Sequence, residues 1–300
     1  MADEGYGHGQ WRGRTDGSPL MHRMLIGSFR FMPLWAYYFL LVGIVPFYMV
    51  ARPVAFRACY RFFREALGYG RLRALGGACV NHFRFGQIVI DRFASYAGHE
   101  FHMDIEGKEL FGRLMSQPGG FLVVIAHVGN AEIAGYTLPL AGKIMSAVVY
   151  GGEAESVMSR RRSRFAGCNV TMIPVKPDLS HVFLINNALH DGGIVSMPAD
   201  RLYGSQRAVT MPFFGRDARF PEGPFMTAWQ RDVPVVMMTV MKAGMRRYAL
   251  KVHEIALSPR SLSASRKDAV EKMVECYARE LESTVVCYPT QWFNYYDFWT

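Results

Sequence analysis

The sequence lacks the patterns by which several common classes of protein are recognised. Its five cysteines are an odd number with no Cys-x-x-Cys pair, which argues against a disulfide framework or a cysteine zinc site and fits a reducing cytosolic environment. It contains no Gly-x-Ser-x-Gly elbow, no Walker loop and no dinucleotide fingerprint at a strand–helix turn. Histidines such as His181 and His190 lack partners at metal-ligand spacing, so we expect neither a metal nor a bound cofactor.

Acidic residues are also scarce, because 25 of them stand against 34 lysines and arginines and leave a formal net charge of +9. Such a charge favours an acidic partner: phosphate groups, an anionic membrane face or an acidic carrier protein. Nucleic acid is the rival partner. The basic residues accompany long apolar runs rather than a polar basic arm, and no nucleic-acid-binding motif is present, so we expect no nucleic-acid partner.

Charge is missing altogether from residues 31–51, which are long enough to cross a bilayer of about 30 Å as a helix. The long polar stretch before them and the absence of a small-residue cleavage site argue against a signal peptide. Pro33 and Pro46 could break or kink the helix, so an interfacial or re-entrant anchor competes with a full span. The arginines that follow the run outnumber those that precede it, which places the main body in the cytoplasm.

The apolar and polar patterns divide the 300 residues into three regions. Residues 1–24 are predicted to be a disordered polar tail, because their Gly-rich start buries little apolar surface. Residues 25–104 are predicted to hold the membrane anchor and a helical region, with helix over 54–97. Residues 105–300 alternate strands with helices, and a final helix is predicted over 265–286. The predicted strands are 121–126, 144–150, 171–175, 193–197, 234–241 and 247–255. We therefore predict an α/β fold with a central mixed sheet flanked by helices, preceded by a hydrophobic membrane-anchoring helical segment.

The pair His127 and Glu132 points most directly to chemistry. An apolar strand, a turn at Gly129 and Asn130, and the start of a helix place the two side chains on either side of that turn. Asn130 is a suitable N-cap, and Glu132 then lies in the first helical turn, where a carboxylate is favoured. A histidine oriented by a carboxylate is what a general base requires, although a histidine beside a glycine turn is commonly structural.

Three further segments supply candidate binding residues, each with a plainer structural alternative. Four arginines at 160, 161, 162 and 164 crowd into one and a half turns, where one or two could bind a phosphate or simply face water. Asp200 and Arg201 follow a predicted strand, as a site or as an ion pair. Phe213 and Phe214 could line a groove for an apolar chain or pack in the core. The aromatic C-terminus, residues 288–299, fits a membrane interface and a packed core equally well.

In this order, these features resemble the lysophospholipid acyltransferase superfamily and, within it, the bacterial lipid A late acyltransferases and their less characterised relatives. The shared features are the apolar anchor, a strand ending in His-x4-Glu, the arginine-rich stretch, the Asp-bearing strand end, Phe-Phe-Gly and the Trp-rich terminus. The resemblance covers roughly residues 25–299. It implies that His127 is the general base and Glu132 its partner, with Arg164 and Asp200 as further catalytic residues. Arg162 is a close alternative to Arg164.

The resemblance also implies the reaction and its setting. Members transfer a fatty acyl group from a thioester on acyl carrier protein, or coenzyme A, to a hydroxyl of a membrane lipid. The implied location is the cytoplasmic face of the bacterial inner membrane. Arg164 or backbone N–H groups near Gly129 would stabilise the oxyanion. The substrate-binding residues predicted alongside are Asn130, Arg162, Arg201, Phe213 and Phe214.

The acceptor stays open, because His82-Phe-Arg-Phe-Gly-Gln87 and the segment from Gln291 to Trp299 are closer to the less characterised branch. Lipid A, an aminolipid or a glycolipid attached to a polyene pigment would each fit. The alternatives are the same chemistry on an amino-acid or soluble acceptor, and a lipid-binding protein that has lost turnover.

Overall fold

The computed structural model describes residues 19–299, except positions 139, 141, 151–158, 160, 163, 164, 166, 177 and 203–206. The helices are α1 (Pro19–Ser28), α2 (Leu34–Ala51), α3 (Pro53–Arg61), α4 (Arg71–Tyr96), α5 (Lys108–Ser116), α6 (Ala131–Thr137), α7 (Ser180–His190), α8 (Gly223–Arg231) and α9 (Arg266–Cys287). The strands are β1 (His102–Glu106), β2 (Phe121–Ile125), β3 (Met145–Tyr150), β4 (Val170–Val175), β5 (Ile194–Pro198), β6 (Ala208–Phe213), β7 (Arg216–Pro221), β8 (Val235–Lys242) and β9 (Arg247–Ala256). A π-helical turn, Phe62–Ala66, continues α3.

The central sheet has seven strands in the order β1-β9-β8-β2-β5-β3-β4. Every neighbouring pair is parallel except β8 and β9, so the sheet is mixed, as predicted. All six predicted strands are present with ends shifted by one residue at most. The prediction missed β1, a partly exposed edge strand, and the β6–β7 hairpin, whose prolines and charged residues obscured its alternation.

The middle of the sheet is covered on both faces, which explains the unbroken apolar runs in its strands. Leu122 and Val124 of β2 share a core with α9, whereas Phe121 and Val123 share the opposite core with α2 and α4. The start of α9 follows the predicted signal, because Ser265 Oγ accepts the Asp268 backbone N–H at 3.4 Å. The alternation of strand side chains therefore places α2 on one face of the sheet and α9 on the other.

Helix α1 begins at Pro19, inside the region predicted to be a tail. Pro19 fits the first turn of a helix, and the following apolar residues let α1 contact α4. Residues 1–18 lie outside the described part of the chain.

Helix α2 is the one described helix that is long and apolar enough to cross a membrane. One face of it packs on α4 and buries Leu34, Tyr37, Tyr38, Leu41 and Val45. The opposite face exposes large apolar side chains, namely Trp35, Phe39, Leu40, Val42, Ile44, Phe47, Tyr48 and Val50. The helix is therefore docked on the sheet domain while presenting an apolar surface outward.

Candidate active site

His127 and Asp200 meet at the carboxyl edge of the sheet. Strands β2 and β5 are parallel neighbours with Ile125 opposite Pro198, and each of the two residues lies two positions beyond its strand. His127 Nδ1 lies 2.8 Å from Asp200 Oδ1, and the His127 backbone N–H donates to Asp200 Oδ2 at 2.8 Å. The carboxylate therefore fixes both the ring and the backbone of the histidine.

The ionisation of Asp200 decides which ring nitrogen of His127 is free. Asp200 is 2 % exposed, and burial works to raise its pKa. The facing His127, the neighbouring Arg201 and the backbone hydrogen bond outweigh burial, so the pKa of Asp200 lies below its ordinary value. An ionised carboxylate only accepts, so Nδ1 carries a proton, and in the neutral form of the ring Nε2 is the nitrogen with the lone pair. The His127 side chain is 40 % exposed, so part of the ring is accessible from outside.

Glu132 does not hold the imidazole, and this corrects the sequence-based expectation. Arg92 Nη2 and Arg161 Nη2 donate to Glu132 Oε2 at 2.7 and 3.0 Å. Glu132 Oε1 accepts from the hydroxyls of Tyr96, at 2.6 Å, and Tyr136. The turn of the chain after His127 directs Glu132 towards α4 rather than back to the strand end. Asp200 is the carboxylate that contacts the ring instead.

The sequence did not identify the four partners of Glu132. Arg161 was noted only as a member of the arginine-rich stretch. Tyr136 lies one helical turn beyond Glu132, a spacing that could have identified it. Arg92 and Tyr96 also lie one turn apart on α4 but are distant from Glu132 in sequence. Burial works to raise the pKa of Glu132, but Arg92 and Arg161 with the two hydroxyls lower it to about 2.

A Glu132→Gln variant is expected to lose stability in a pH-dependent way. Because the folded pKa of about 2 is below the ordinary value of 4.5, the carboxylate stabilises the fold above about pH 5. That contribution, roughly 3 kcal/mol, fades as the pH falls from about 5 towards 2. Urea unfolding at several pH values should show the wild type losing its advantage over the variant on acidification. A constant difference would contradict the assignment.

The loop that carries His127 is pinned by the C-terminal segment. Val128 pairs with Trp292 in an antiparallel bridge. The Gly129 N–H donates to the Gln291 carbonyl and the Phe293 N–H to the His127 carbonyl, both at 2.9 Å. Trp292, Phe293 and Phe298 of the aromatic C-terminus are buried, and the segment is hydrogen-bonded to the backbone of the His127 loop.

Gly129 is required by this close approach. Its φ is +56°, and a Cβ built on it would lie 2.0 Å from the Val240 carbonyl oxygen. We expect Gly129→Ala to destabilise the protein by more than the roughly 1–3 kcal/mol that a left-handed non-glycine residue alone costs. Gly68→Ala is the matched control, since Gly68 has φ +66° and open space around its Cβ position. Equal unfolding free energies for the two variants would contradict the clash.

The backbone N–H groups of Gly129 and Asn130 are already hydrogen-bonded, so these two do not supply the predicted oxyanion site. Gly129 N–H is bonded to Gln291, and Asn130 N–H donates to the Val240 carbonyl at 2.7 Å. Asn130 occupies the N-cap position of α6 without a side-chain capping bond. Its side chain is buried and its amide donates to the Tyr248 hydroxyl at 3.3 Å. Asn130 therefore supports the loop instead of facing a substrate.

The remaining predicted residues have varied placements. Arg162 is exposed, whereas its neighbour Arg161 is the one that reaches Glu132. Arg164 lies outside the described residues. Arg201 donates to the Phe293 carbonyl at 2.8 Å and so holds the C-terminal segment.

Phe213 and Phe214 were predicted to line a groove for an apolar chain, and the structure places them in the core and in a turn instead. Phe213 is fully buried among Phe220, Trp292 and Phe298, so it is a core residue. Phe214 is partly buried and forms the β6–β7 turn with φ +52°, and its N–H donates to Glu282 Oε2 at 2.6 Å. Over the described ranges, no group of three His, Cys, Asp or Glu side chains could hold a metal ion.

The fold and the site together define an α/β protein in which a histidine lies at the carboxyl edge of the sheet. A buried carboxylate holds the ring of this histidine. Residues 90–299 match the family model of the bacterial lipid A biosynthesis acyltransferases. The chain therefore belongs to this family and is a lipid acyltransferase.

Comparison with individual proteins gives matches among solved structures. A search of curated proteins finds no match. The crystal structure of the 1-acyl-sn-glycerophosphate acyltransferase PlsC from Thermotoga maritima is similar at 17% identity, with a TM-score of 0.37. The similarity covers 81% of this chain and 96% of that one.

Proposed function

We propose that the protein transfers a fatty acyl group from an acyl thioester to a hydroxyl of a membrane lipid or glycolipid, with His127 as the general base. One observation carries the assignment of the base: Nδ1 of His127 is held at 2.8 Å by a buried carboxylate while its ring is exposed. That arrangement orients the ring and stabilises the imidazolium that forms during proton transfer.

The proposed reaction requires no nucleophile from the protein. The acceptor oxygen attacks the thioester carbonyl as Nε2 of His127 takes the hydroxyl proton. The tetrahedral intermediate then collapses, the carbon–sulfur bond breaks, and Nε2 returns the proton to the leaving thiolate. The products are an ester and a free thiol, so the histidine is neutral again at the end. Asp200 stays ionised throughout and balances the transient positive charge.

The donor is proposed to be acyl carrier protein or coenzyme A, since the +9 net charge suits an acidic carrier or a nucleotide phosphate. The test supplies purified protein with radiolabelled acyl-ACP, or acyl-CoA, and with a mixture of bacterial membrane lipid extract and free amino acids. We expect label in the lipid fraction as an alkali-labile ester. Label that enters only water-soluble amino-acid acceptors, or free fatty acid in the absence of any lipid product, would contradict the proposed acceptor class.

We further propose that the enzyme binds the cytoplasmic face of the bacterial inner membrane through the outward face of α2. Large apolar side chains on one side of this docked helix are exposed and are not covered by other described parts of the protein. Arg30 and Arg57 are exposed near the ends of the helix. Apolar side chains can enter the acyl region while guanidinium groups contact anionic headgroups.

Introducing charge on this face should release the protein from membranes. Phe39 and Phe47 are 71 % and 69 % exposed, and we expect Phe39→Glu with Phe47→Glu to weaken binding by roughly tenfold or more per residue. Phe183→Glu is the control, because Phe183 is 73 % exposed on α7, far along the chain from the anchor. Flotation with phosphatidylglycerol vesicles measures the effect. Equal flotation of the double variant and the control would reject this binding face.

A further inference from the structure

A cluster of polar side chains, Tyr38, Asp91, Lys242 and Tyr248, is buried where α2, α4, β8 and β9 meet. Lys242 Nζ donates to Asp91 Oδ2 at 2.5 Å, to the Tyr38 hydroxyl at 2.8 Å and to the Met245 carbonyl at 3.1 Å. The hydroxyls of Tyr38 and Tyr248 both donate to Asp91. All three ammonium protons have acceptors, and the carboxylate is surrounded by donors.

Burying the charges of Asp91 and Lys242 is unfavourable unless every donor and acceptor in the cluster has a hydrogen-bond partner. Desolvation raises the pKa of Asp91 and lowers that of Lys242, so each charge depends on the other and on the tyrosines. A network in which every donor and acceptor is satisfied fixes the relative placement of the elements that contribute to it. Here it fixes the apolar helix α2 against the ends of two central strands.

The same cluster reaches the loop that carries His127 by two routes. Asn130 lies three residues after His127, and its side-chain amide donates to the Tyr248 hydroxyl at 3.3 Å. The Gln291 side-chain oxygen accepts the backbone N–H of Lys242 at 2.8 Å, and the Gln291 side-chain NH₂ donates to the Lys242 carbonyl at 3.0 Å. The Gln291 carbonyl in turn accepts the Gly129 N–H. Asn130 and Gln291 thus connect the His127 loop to members of the cluster through hydrogen bonds.

We infer that the cluster of Tyr38, Asp91, Lys242 and Tyr248 positions the His127 loop for acyl transfer, and that docking of α2 through Tyr38 completes it. The inference rests on the proposed function, because it concerns the same histidine. Its members are positioning residues that do not touch the substrate. The helix that faces the membrane is consequently linked to the geometry of the base.

The test compares Tyr38→Phe with Tyr37→Phe. Both tyrosines are buried on α2, but the Tyr37 hydroxyl bonds Ser28 Oγ at 2.6 Å and has no link to the His127 loop. Steady-state transfer from acyl-ACP to the lipid extract gives kcat and KM for each variant. We expect Tyr38→Phe to lower kcat roughly 10- to 100-fold with KM for acyl-ACP unchanged, the effect of a slightly misplaced catalytic group. Tyr37→Phe should keep the wild-type kcat.

A second variant tests whether the cluster acts as one unit. Tyr248→Phe removes the hydroxyl that connects Asn130 to Asp91, and it should also lower kcat. The double variant Tyr38→Phe with Tyr248→Phe should lose less than the product of the two single losses, because both break one network. Amide exchange at Gly129 and Asn130 should quicken in both single variants.

The outcomes separate this inference from the proposed function. Loss of transfer in His127→Ala together with a wild-type kcat in Tyr38→Phe would overturn the inference and leave the function standing. Equal losses of kcat in Tyr37→Phe and Tyr38→Phe, or a change confined to KM, would also overturn it. Wild-type transfer by folded His127→Ala would instead reject the function.

Discussion

Replacing His127 by alanine is expected to lower acyl transfer by roughly 10²- to 10⁴-fold, the contribution of a positioned general base. The acceptor hydroxyl must lose its proton as it attacks, and the structure places an exposed imidazole, with Nδ1 already committed to Asp200, at the sheet edge. The measurement is the initial rate of label transfer from acyl-ACP to membrane lipids at saturating donor.

The control for His127→Ala must show that the variant is folded. Removing the ring leaves the buried Asp200 carboxylate without its Nδ1–H donor, so we expect a lower melting temperature, and circular dichroism must show that the variant is folded at the assay temperature. Added imidazole offers a second check, since it can occupy the space of the missing ring and restore part of the rate. A folded His127→Ala protein with wild-type transfer would remove the proposed base.

Asp200→Asn is expected to have a comparable effect, roughly 10²- to 10⁴-fold on kcat, for a different reason. The carboxylate accepts two hydrogen bonds, one from the His127 backbone N–H and one from Nδ1. An asparagine offers one acceptor oxygen and one NH₂ group, so it cannot accept both. If NH₂ faces the ring, Nδ1 becomes the acceptor and the proton moves to Nε2, where it blocks proton abstraction.

The pH dependence of stability provides a check on Asp200→Asn that does not depend on activity. Because its folded pKa is lowered, the Asp200 carboxylate stabilises the fold above its ordinary pKa, about 4, and loses this effect as the pH falls further. The difference in unfolding free energy between wild type and variant should therefore shrink on acidification. Transfer should fall far more in Asp200→Asn than in Glu132→Gln, and the reverse ranking would restore Glu132 as the orienting group.

The sequence predicted the fold well where its signals are local. Strand β2, the turn at Gly129 and the start of α6 follow from an apolar run that ends at a glycine turn, although Asn130 makes no side-chain capping bond. The long helix α9 follows from its apolar spacing and from Ser265 with Asp268. The edge strand β1 and the β6–β7 hairpin escaped because edge positions tolerate polar residues and prolines.

The site was only partly predictable for the same reason. His127 and Asp200 were both identified as strand-end residues, but nothing local indicates that β2 and β5 are neighbours. Proximity in sequence favoured Glu132, five residues from His127, over Asp200, which lies 73 residues away. Phe213 illustrates the converse error, because a motif that suggested a groove forms part of the aromatic core.

By itself, the sequence determined the α/β elements, the apolar helix near the N-terminus and the histidine at a strand end, since these depend on periodicity and turn chemistry. Only the tertiary structure decided which carboxylate faces that histidine, which arginine reaches Glu132 and how α2 docks. Strand order and helix packing bring together residues such as Tyr38, Asp91 and Lys242, whose separation along the chain gives no sign of contact. Buried polar groups must find partners wherever the fold supplies them, and those partners are fixed by the whole packing arrangement.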